Sequence, residues 1–508
     1  MIIADLPPGW DKVSLGDVLL RVEAGKSFKC EPRQARDDEW AIIKVSAMTW
    51  GRFDENENKA VPEGREINPA YEIKAGDILV SRANTQAYVG APVLVGKTRE
   101  RLLLSDKSLR LVPSSAVDRR WLLYFLSSPA ARRFISKAAT GTKDSMRNIS
   151  QKELLKMPLA LPPIGEQRRI VEVLDGHLSR IDSAVQTLKN SRIRAANLRR
   201  AAEQLAISGR LVESGPLDQS VSELIEGVRR AIQRSGTAKQ KKFSATLSEE
   251  FSSIPAHWER LPLGALCLGI EYGSSAKAHS VPAAGDVPVL RMGNIQDGVI
   301  VLDSLKYLPR DHEDVKKLQL SDGDLLFNRT NSAELVGKSA VYRADLSAAT
   351  FASYLIRCRL APGIEPDWVN LCVNSMEGRR YINSVVTQQV GQANVNGTKL
   401  GAFPIPVPPH GEQLRILASI RDWKDTFQRS VVAADRALQR AGHLRKALLA
   451  HAFAGGLTSR EPADRIATEG AVRDCTGNPL DAKSRKCPSV ATGGPMGFRD
   501  TVQQEFDF

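Results

Sequence analysis

The chain has 508 residues, of which 42% are hydrophobic and 25% are charged, values typical of a globular protein. It contains no apolar run near the roughly 18 residues that a membrane-spanning helix needs, and its first residues lack the basic and apolar regions of a secretory signal. The formal net charge of +13 favours a polyanionic partner such as nucleic acid.

Residues 1–162 read as a domain of mixed α and β structure. Short β-rich runs are separated by Gly, Asn, Asp and Pro, the residues that turns require. We predict strands over Ala41 to Val45, Ile78 to Val80 and Pro92 to Val95, and a short helix from Trp121 to Leu126.

A long helix is predicted over residues 163–212, with Pro163 before its start and Gly209 near its end. Apolar or small residues recur at alternating spacings of four and three, which is typical of a coiled-coil seam. The predicted seam residues are Ile170, Leu174, His177, Ile181, Ala184, Leu188, Ser191, Ala195, Leu198, Ala202 and Leu205.

The chain then repeats this organisation. A polar connector over 213–250, with a short helix near Leu224 to Gln233, leads into a second mixed domain over 251–408. Its predicted strands are Val287 to Met292, Leu325 to Phe327 and Tyr354 to Leu360, and its predicted short helix is Trp368 to Val373.

A second long helix is predicted over 409–457, ending near Gly455, and the tail over 458–508 has too few apolar residues for a fold of its own. The second seam comprises Ile416, Ile420, Trp423, Phe427, Ser430, Ala434, Ala437, Ala441, Leu444, Leu448 and His451. We interpret its His and aromatic members, and His177 of the first seam, as packing residues rather than ligands.

Matched residues show that the halves arose by duplication. The segment Pro162 to Ile170 (PPIGEQRRI) returns as Pro408 to Ile416 (PPHGEQLRI), and Gly76 to Arg82 (GDILVSR) returns as Gly323 to Arg329 (GDLLFNR). Two similar helices can bury their seams on each other by running antiparallel, which relates the two domains by a pseudo-twofold axis. Because DNA readers of this kind place two domains on separated half-sites, we predict two unlike half-sites in inverted orientation.

Catalytic motifs are missing from the sequence. Gly96-Lys97-Thr98 and Gly337-Lys338-Ser339 resemble the end of a phosphate loop, but Ala91 and Ser332 replace its first glycine. Asp77 and Asp324 follow a glycine before a strand, where a turn role is expected. We therefore predict a protein that binds rather than reacts.

Polar segments at equivalent places in the two domains are candidates for DNA binding. Arg, Asn and Gln can grip purine edges with two hydrogen bonds, and Lys or Arg can hold phosphates. A structural role for the paired arginines and asparagines is the alternative. The candidates are Arg82, Asn84, Thr85, Gln86, Lys143, Arg147 and Asn148 in the first domain, and Arg329, Thr330, Asn331, Ser332, Gln392, Asn394 and Asn396 in the second.

Six cysteines form no CxxC pair and no Cys/His cluster, so we predict no metal site and a reducing, cytoplasmic setting.

With these features the chain resembles the specificity subunits of type I restriction–modification systems. The resemblance covers about residues 5 to 458 and rests on the Pro-x-x-Trp elements at Pro7 to Trp10 and Pro255 to Trp258, the GDILVSR and GDLLFNR strands, and the repeated PP-x-GEQ-x-RI segments. It implies an α+β fold in which two pseudo-twofold-related target-recognition domains are separated by two long antiparallel coiled-coil helices.

The resemblance also implies a chain that is not an enzyme. Each recognition domain would read one half of a bipartite, asymmetric site in double-stranded DNA. Two modification subunits, which methylate adenine, and restriction subunits would dock on the chain, so that S-adenosylmethionine, ATP and Mg²⁺ belong to the partners. The repeat-motif residues proposed for docking are Glu166, Gln167, Arg169, Glu412, Gln413 and Arg415.

Two other functions remain open at the level of sequence. A stand-alone tandem DNA-binding regulator could share these features but would need no methyltransferase partner. An enzyme with an unrecognised active site is the other alternative, and the missing motifs argue against it.

Overall fold

The computed structural model describes residues 6–458 apart from 28, 50, 144–145, 214, 216–219, 237–250, 332–335, 345, 347 and 390–391. The expected tail and most of the connector therefore lie outside the described residues. Contacts divide the chain into two compact units, one ending at Gly176 and resuming at Lys446, the other spanning His177–Arg445.

The described part of the first domain contains twelve strands and three α-helices. They are β1 (Asp11–Ser14), β2 (Leu19–Ala24), β3 (Ala41–Ile43), β4 (Asn58–Ala60), β5 (Ile78–Ser81), β6 (Ala83–Asn84), β7 (Pro92–Leu94), β8 (Leu102–Leu103), β9 (Ser108–Pro113), α1 (Arg119–Ser127), α2 (Pro129–Ala138), β10 (Thr140–Lys143), β11 (Met146–Asn148), α3 (Gln151–Leu155) and β12 (Pro158–Leu161).

The long helix α4 (Ile164–Ile207) follows, then α5 (Val221–Arg234). The second domain contains β13 (Glu259–Pro262), β14 (Cys267–Tyr272), β15 (Val287–Leu290), β16 (Ile295–Gln296), β17 (Val299–Ile300), β18 (Lys306–Leu308), α6 (Glu313–Lys317), β19 (Leu325–Asn328), β20 (Thr330–Asn331), β21 (Ser339–Val341), β22 (Thr350–Phe351), β23 (Leu355–Leu360), α7 (Pro366–Asn374), α8 (Met376–Val385), β24 (Thr387–Gln389), β25 (Gln392–Asn394), α9 (Gly397–Gly401) and β26 (Pro404–Val407). The helix α10 (His410–Ala452) completes the described chain.

Each of the four described sheets of the first domain has a counterpart in the second domain, which also contains the two-stranded sheet β16-β17. A four-stranded antiparallel sheet in the order β2-β9-β5-β7 has its counterpart in β14-β23-β19-β21. Smaller sheets β4-β3-β8, β10-β11-β6 and β1-β12 match β18-β15-β22, β24-β25-β20 and β13-β26. The duplication seen in the sequence is thus a duplication of an α+β fold, as predicted.

The predicted strands and short helices are confirmed, with small differences at their ends. Val45 and Met292 fall in 3-10 turns just after β3 and β15 rather than in those strands. The central strand β5 is buried along its whole length, which explains its continuous apolar run. Helix α1 begins where the Asp118 side chain accepts hydrogen bonds from two free backbone N–H groups.

The predicted coiled-coil seam of α4 is right at every seventh residue from Leu174 and at the fully buried Ile170, and wrong at the other positions between. Leu174, Ile181, Leu188, Ala195 and Ala202 are buried or half-buried, but His177, Ala184, Ser191, Leu198 and Leu205 are exposed. The second series of seam residues lies one position after the predicted one. Its buried or half-buried members are Val171, Leu178, Val185 and Ala206, and the exposed Arg192 and Arg199 occupy the two places between Val185 and Ala206 in the same seven-residue repeat.

A one-residue correction also applies to part of the α10 seam. Of the predicted residues, the buried or half-buried ones are Ile416, Ile420, Phe427, Ala434, Ala437, Ala441 and Leu448, whereas Trp423, Ser430, Leu444 and His451 are exposed. The second set of seam residues is Leu417, Val431, Leu438, Arg445 and Ala452, with the exposed Lys424. The predicted packing role of His177, His451 and Trp423 is therefore wrong, although Trp423 does stack on Phe427 with ring centroids 5.4 Å apart.

Ion pairs give the direction of the two long helices within the second unit. Arg445 Nη2 lies 2.5 Å from Asp182 Oδ1, and Arg192 Nη1 lies 3.2 Å from Asp435 Oδ1. From the first ion pair to the second, the residue number rises along α4, from 182 to 192, and falls along α10, from 445 to 435. The two helices therefore run antiparallel. This confirms the predicted antiparallel pairing.

The end of each long helix packs against one of the two mixed domains. The last turns of α4 place Ala202, Ala206 and Ile207 in the hydrophobic core that contains Trp258 and Trp368 of the second domain. Past the end of α10, the Phe453 ring lies edge-on to Trp121 and Phe125 of the first domain, with centroids 5.6 and 5.5 Å apart.

The helices end at Ile207 and Ala452, before the predicted bounds of 212 and 457. Each stops just ahead of the glycine expected near its end, Gly209 or Gly455, whose φ values of 70° and 79° suit glycine. None of the described helices is both long enough and apolar enough to cross a bilayer.

Candidate nucleic-acid interface

The two polar segments singled out in the first domain meet in one three-stranded sheet. Strand β6 pairs antiparallel with β11, so that Arg147 lies opposite Asn84 and Asn148 lies opposite Ala83. The hairpin partner β10 adds the third strand and carries Lys143 opposite Met146. Residues about 60 positions apart in the chain therefore form one candidate surface.

The second domain builds the equivalent sheet from different residues. Thr330 lies opposite Asn394 and Asn331 opposite Ala393, with β24 as the outer strand. The same backbone framework thus displays two different sets of side chains. Ser332, and the side chains of Lys143 and Gln392, lie outside the described part of the chain.

In the first domain the most accessible candidates are Thr85, Gln86 and Asn148, which are all exposed. Asn84 is half-buried, and its side chain is used locally. Its Nδ2 donates to Ser81 Oγ at 3.3 Å, and its Oδ1 accepts from the Thr85 N–H at 2.8 Å. Thr85, Gln86 and Asn148 are thus free to meet a ligand, while Asn84 shapes the turn that presents them.

Arg147 holds its own hairpin. Its guanidinium donates to the carbonyl oxygens of Gly141 at 2.9 Å and Ala139 at 3.0 Å. A phosphate contact would have to compete with both bonds, so we revise its expected role to that of a positioning residue for β10 and β11.

The paired arginines Arg82 and Arg329 are half-buried, and the Nε atom of each is buried without a hydrogen-bond partner. They differ in their surroundings. The Arg329 guanidinium carbon lies 4.7 Å from the centroid of the Tyr272 ring, an arrangement that attracts a cation to the aromatic face. Because Ala24 stands at the equivalent place in the first domain, Arg82 has no such ring.

Tyr272 is a residue that the sequence did not single out. It is 44% exposed at the end of β14, and its hydroxyl accepts from the Gly397 N–H at 2.8 Å. Its ring and hydroxyl thereby connect Arg329 to the start of α9. No signal in the sequence marks it, because the contact joins residues that are far apart in the chain.

The remaining asparagines of the second domain serve the framework. Asn394 Nδ2 donates to Thr330 Oγ1 at 3.1 Å, and Asn396 caps α9 by accepting from the Lys399 N–H at 2.9 Å. Ser150 caps α3 in the same way in the first domain. Asn396 is nevertheless exposed beside the candidate sheet.

The aspartates of the repeated Gly-Asp element have the turn role that was predicted, and an ion pair in addition. Asp77 accepts from the Lys74 N–H at 2.9 Å, and Asp324 accepts from the Ser321 N–H at 2.9 Å. Asp77 also contacts Arg110, and Asp324 contacts Arg357. Burial raises the pKa of Asp324, although its backbone hydrogen bond and Arg357 oppose that shift.

The glutamine of the repeated GEQ motif joins each long helix to the domain before it. Gln167 is fully buried, accepts from the Asp118 N–H at 2.8 Å, and donates to the carbonyl oxygens of Ala116 and Pro162, both at 2.9 Å. Gln413 makes the equivalent bonds to Glu365, Gly363 and Pro408. Both copies therefore set the angle between domain and helix.

The glutamate of the motif is also buried. Glu166 accepts from Trp10 Nε1 at 3.1 Å and from Thr458 Oγ1 at 3.0 Å, and Glu412 lies 3.0 Å from His257 Nε2. These side chains cannot offer a docking surface while the domain is folded. Of the six repeat-motif residues expected to dock partners, only the half-buried Arg169 and Arg415 have partly accessible side chains.

A different surface on the long helices suits a partner. In an antiparallel pair, the residues one position before Val185, Arg192, Arg199 and Ala206 on α4, and before Lys424, Val431, Leu438 and Arg445 on α10, fall on the same side of the pair. Except for the half-buried Ala437, these eight residues are exposed. This apolar stripe consists of Ala184, Ser191, Leu198, Leu205, Trp423, Ser430, Ala437 and Leu444.

Comparisons with known proteins agree with this architecture. A family model described as Type I restriction modification DNA specificity domain matches residues 7–191. The Type I restriction enzyme EcoEI specificity subunit of Escherichia coli is 33% identical over 192 residues, which is 36% of this chain and 32% of that relative. The EcoKI specificity subunit of Escherichia coli strain K12 is 23% identical over 476 residues, covering 91% of this chain and 92% of the relative.

The chain thus spans about a third of the first relative and nearly all of the second. A solved chain described under the structural basis of complex assembly and conformational transition of the type I R-M system matches with a TM-score of 0.57 at 18% identity. That match covers 89% of this chain and 100% of the other, and it shows a shared fold.

Proposed function

Since the chain is similar to type I restriction–modification specificity subunits, we propose that it is a member of that family and recognises a bipartite, asymmetric site in double-stranded DNA. Each recognition domain reads one half of the site, and the paired long helices hold the halves at a fixed distance. The observation that supports this most is the duplicated three-stranded sheet, which carries Asn84, Arg147 and Asn148 in one domain and Thr330, Asn331 and Asn394 in the other.

The antiparallel helices explain why the two halves would be read in inverted orientation. Domains attached to the starts of two antiparallel helices are turned over relative to each other, as in symmetric dimers that bind palindromes. The side chains on the two sheets differ, so the two half-sites would differ in sequence. The net charge of +13 adds affinity for the phosphate backbone without regard to sequence.

Partners supply the chemistry in this proposal. Two modification subunits, carrying S-adenosylmethionine, dock on the chain and methylate adenine, and restriction subunits bring ATP, Mg²⁺ and cleavage. The apolar stripe suits such docking because Leu198, Leu205, Trp423 and Leu444 are all more than 40% exposed. The chain itself performs no reaction and acts in the cytoplasm.

A domain exchange tests the proposal. Residues 1–162 are replaced by the first recognition domain of another family member, and the complex with the modification subunits is assayed by sequencing methylated adenines. We expect one half of the methylated motif to change while the other half and the spacing stay the same. A change in both halves, or methylation by the chain without its partners, would refute the proposal.

A further inference from the structure

A basic cavity in the second unit has no role in the proposed recognition of DNA. Two overlapping spaces of about 380 and 810 Å³ lie between α4, α10, the α7–α8 pair and the turn at Asp297–Val299. They share Arg199, Arg379 and Lys424 among their lining residues. Volumes of this size are in the range of small-molecule sites.

Positive charge in the cavity exceeds what the neighbouring carboxylates neutralise. Arg199 Nε is paired with Glu203 at 3.0 Å, and Asp367 is paired with Arg343 outside the cavity at 2.5 Å. Within the described ranges, Lys338, Arg421 and Lys424 have no ion-pair partner. Since Arg421 and Lys424 are one turn apart on α10, two unpaired cations converge on one side of the cavity.

The side chain of Lys424 as a whole is exposed, but it lines the cavity, where an ammonium group is disfavoured. Partial burial among the surrounding protein atoms is the main cause that lowers its pKa, and the positive charge of Arg199 lowers it further, whereas Glu203 and Asp367 only partly compensate. A bound anion would reverse this effect by neutralising the charge.

The first half of the molecule shows that the fold does not need these cations. Leu178 stands as far beyond Glu166 as Lys424 stands beyond Glu412, and it is 5% exposed. Asp175 stands where Arg421 does and forms an ion pair with Arg120 at 2.6 Å, and Asp367 stands where Arg120 does. The second copy thus carries this pair with its charges exchanged, but Asp367 is paired with Arg343, and no ion pair of Arg421 occurs within the described ranges. The replacement of a buried leucine by Lys424 is the change that adds positive charge.

The wider part of the cavity adds apolar surface. Met376, Phe427 and Val431 line it together with Ala195. A ligand with a phosphate group at one end and a flat, partly apolar group at the other would use both parts. The cavity also lies away from the apolar stripe, because Glu203, Arg421 and Gln428 are on the opposite side of the helix seam.

We propose that this cavity is a binding site for a small phosphate-bearing ligand of the nucleotide class, held through its phosphates by Arg199, Arg421 and Lys424. The proposal is independent of the proposed DNA recognition. It predicts that the second half of the chain binds inorganic pyrophosphate and nucleotides, and that the equivalent place in the first half does not.

The test is a calorimetric titration of the full chain with pyrophosphate, AMP and ATP, in the wild type and in Lys424→Leu and Arg421→Asp variants. Lys424→Leu installs the residue that the first half carries, and Arg421 is exposed, so both variants should fold, and thermal unfolding checks this. We expect each to weaken binding by about tenfold or more, because a charged hydrogen bond is lost. Arg440→Asp, an exposed position on the same helix, is the control with the same change of charge and should bind as the wild type does.

Tighter binding of ATP than of pyrophosphate would support a contact with the base as well, and equal binding would support a phosphate site alone. No binding by the wild type, or equal loss in Arg440→Asp, would overturn the proposal. A DNA duplex that displaces pyrophosphate from the wild type would also overturn it, because the cations would then belong to a DNA-binding surface.

Discussion

Asn84 lies opposite Arg147 in the ladder between β6 and β11, so two segments that are distant in the chain share one surface. Neither side chain is fully free. Asn84 bonds to its own turn, and Arg147 bonds to carbonyl groups of its own hairpin. The pair therefore fixes the surface on which the exposed Thr85, Gln86 and Asn148 are presented.

Removing the Arg147 side chain should loosen this surface. Two hydrogen bonds of about 0.5–1.5 kcal/mol each are lost in Arg147→Ala, so we expect weaker binding of sites through the first half-site alone. The salt dependence of the dissociation constant should stay the same, since no phosphate contact is removed. Fluorescence anisotropy over a series of salt concentrations measures both, with Arg133→Ala on the exposed side of α2 as the control. A salt slope that falls by about one unit would instead mean that Arg147 holds a phosphate.

Tyr272 should matter for the second half-site only. Tyr272→Leu removes the ring beneath Arg329 and the hydroxyl that accepts from Gly397, whereas Tyr272→Phe removes the hydroxyl alone. A ring–cation contact is worth roughly 0.5–2 kcal/mol, so we expect a loss of affinity in the leucine variant that phenylalanine largely restores. Competition binding with duplexes altered in one half-site gives the result. Equal losses for both half-sites would contradict a local role.

The buried glutamines should be important for stability. Gln413→Leu removes three hydrogen bonds and leaves backbone groups unpaired, which we expect to cost roughly 2–5 kcal/mol. Urea unfolding followed by circular dichroism measures the change, and Gln439→Leu, on the exposed side of the same helix, is the matched control. If the two variants unfold at the same urea concentration, the motif does not join helix and domain as the hydrogen bonds indicate.

Alkaline pH should destabilise the second domain. Burial raises the pKa of Tyr381 from 10.0 to about 12, and its hydroxyl donates to the Lys399 carbonyl oxygen at 2.7 Å. The unfolded chain loses this proton first, so the stabilisation is fully present below pH 10 and is lost as the pH rises toward 12. Between pH 10 and about pH 12, we expect the free energy of unfolding to fall less in Tyr381→Phe than in the wild type. The exposed Tyr354→Phe should follow the wild type, and identical pH profiles for all three proteins would contradict the prediction.

The antiparallel register predicts how the spacing between half-sites can be changed. Seven residues inserted into both helices, at places level with each other between Arg192 and Ala195 and between Val431 and Asp435, should lengthen the pair by about 10 Å at 1.5 Å per residue. Since DNA rises about 3.4 Å per base pair, the methylated motif should gain roughly three base pairs of spacer. Methylation sequencing reports the spacing directly. An unchanged spacer would show that the helices do not set the distance.

Sequence patterns predicted the elements well because apolar periodicity and turn residues are local signals. They misplaced five of the eleven predicted residues of the first seam and four of the eleven of the second, because neighbouring residues were equally suitable. His177 and Leu178, or Ala184 and Val185, differ by one position, and only the partner helix decides which of the two is buried.

The candidate site was predicted in outline for a related reason. The sequence located the polar segments, but Arg147 turns back on its hairpin and Tyr272 reaches Arg329 through the tertiary fold. Contacts between residues far apart in the chain produce no periodic pattern in the sequence. The burial of Glu166 and Gln167 could not be predicted for the same reason. A repeated polar motif is compatible with buried hydrogen bonds between helix and domain as well as with an exposed docking surface.

The contact of Phe453 with Trp121 and Phe125 has a consequence for synthesis on the ribosome. The second unit is complete once the chain has reached Arg445, whereas the first unit needs residues beyond Lys446. The domain that is made first is therefore finished last, and its aromatic cluster stays uncovered while the rest of the chain is translated. Truncation shortly before Phe453 should consequently expose the oldest part of the nascent chain to aggregation, and leave the second domain intact.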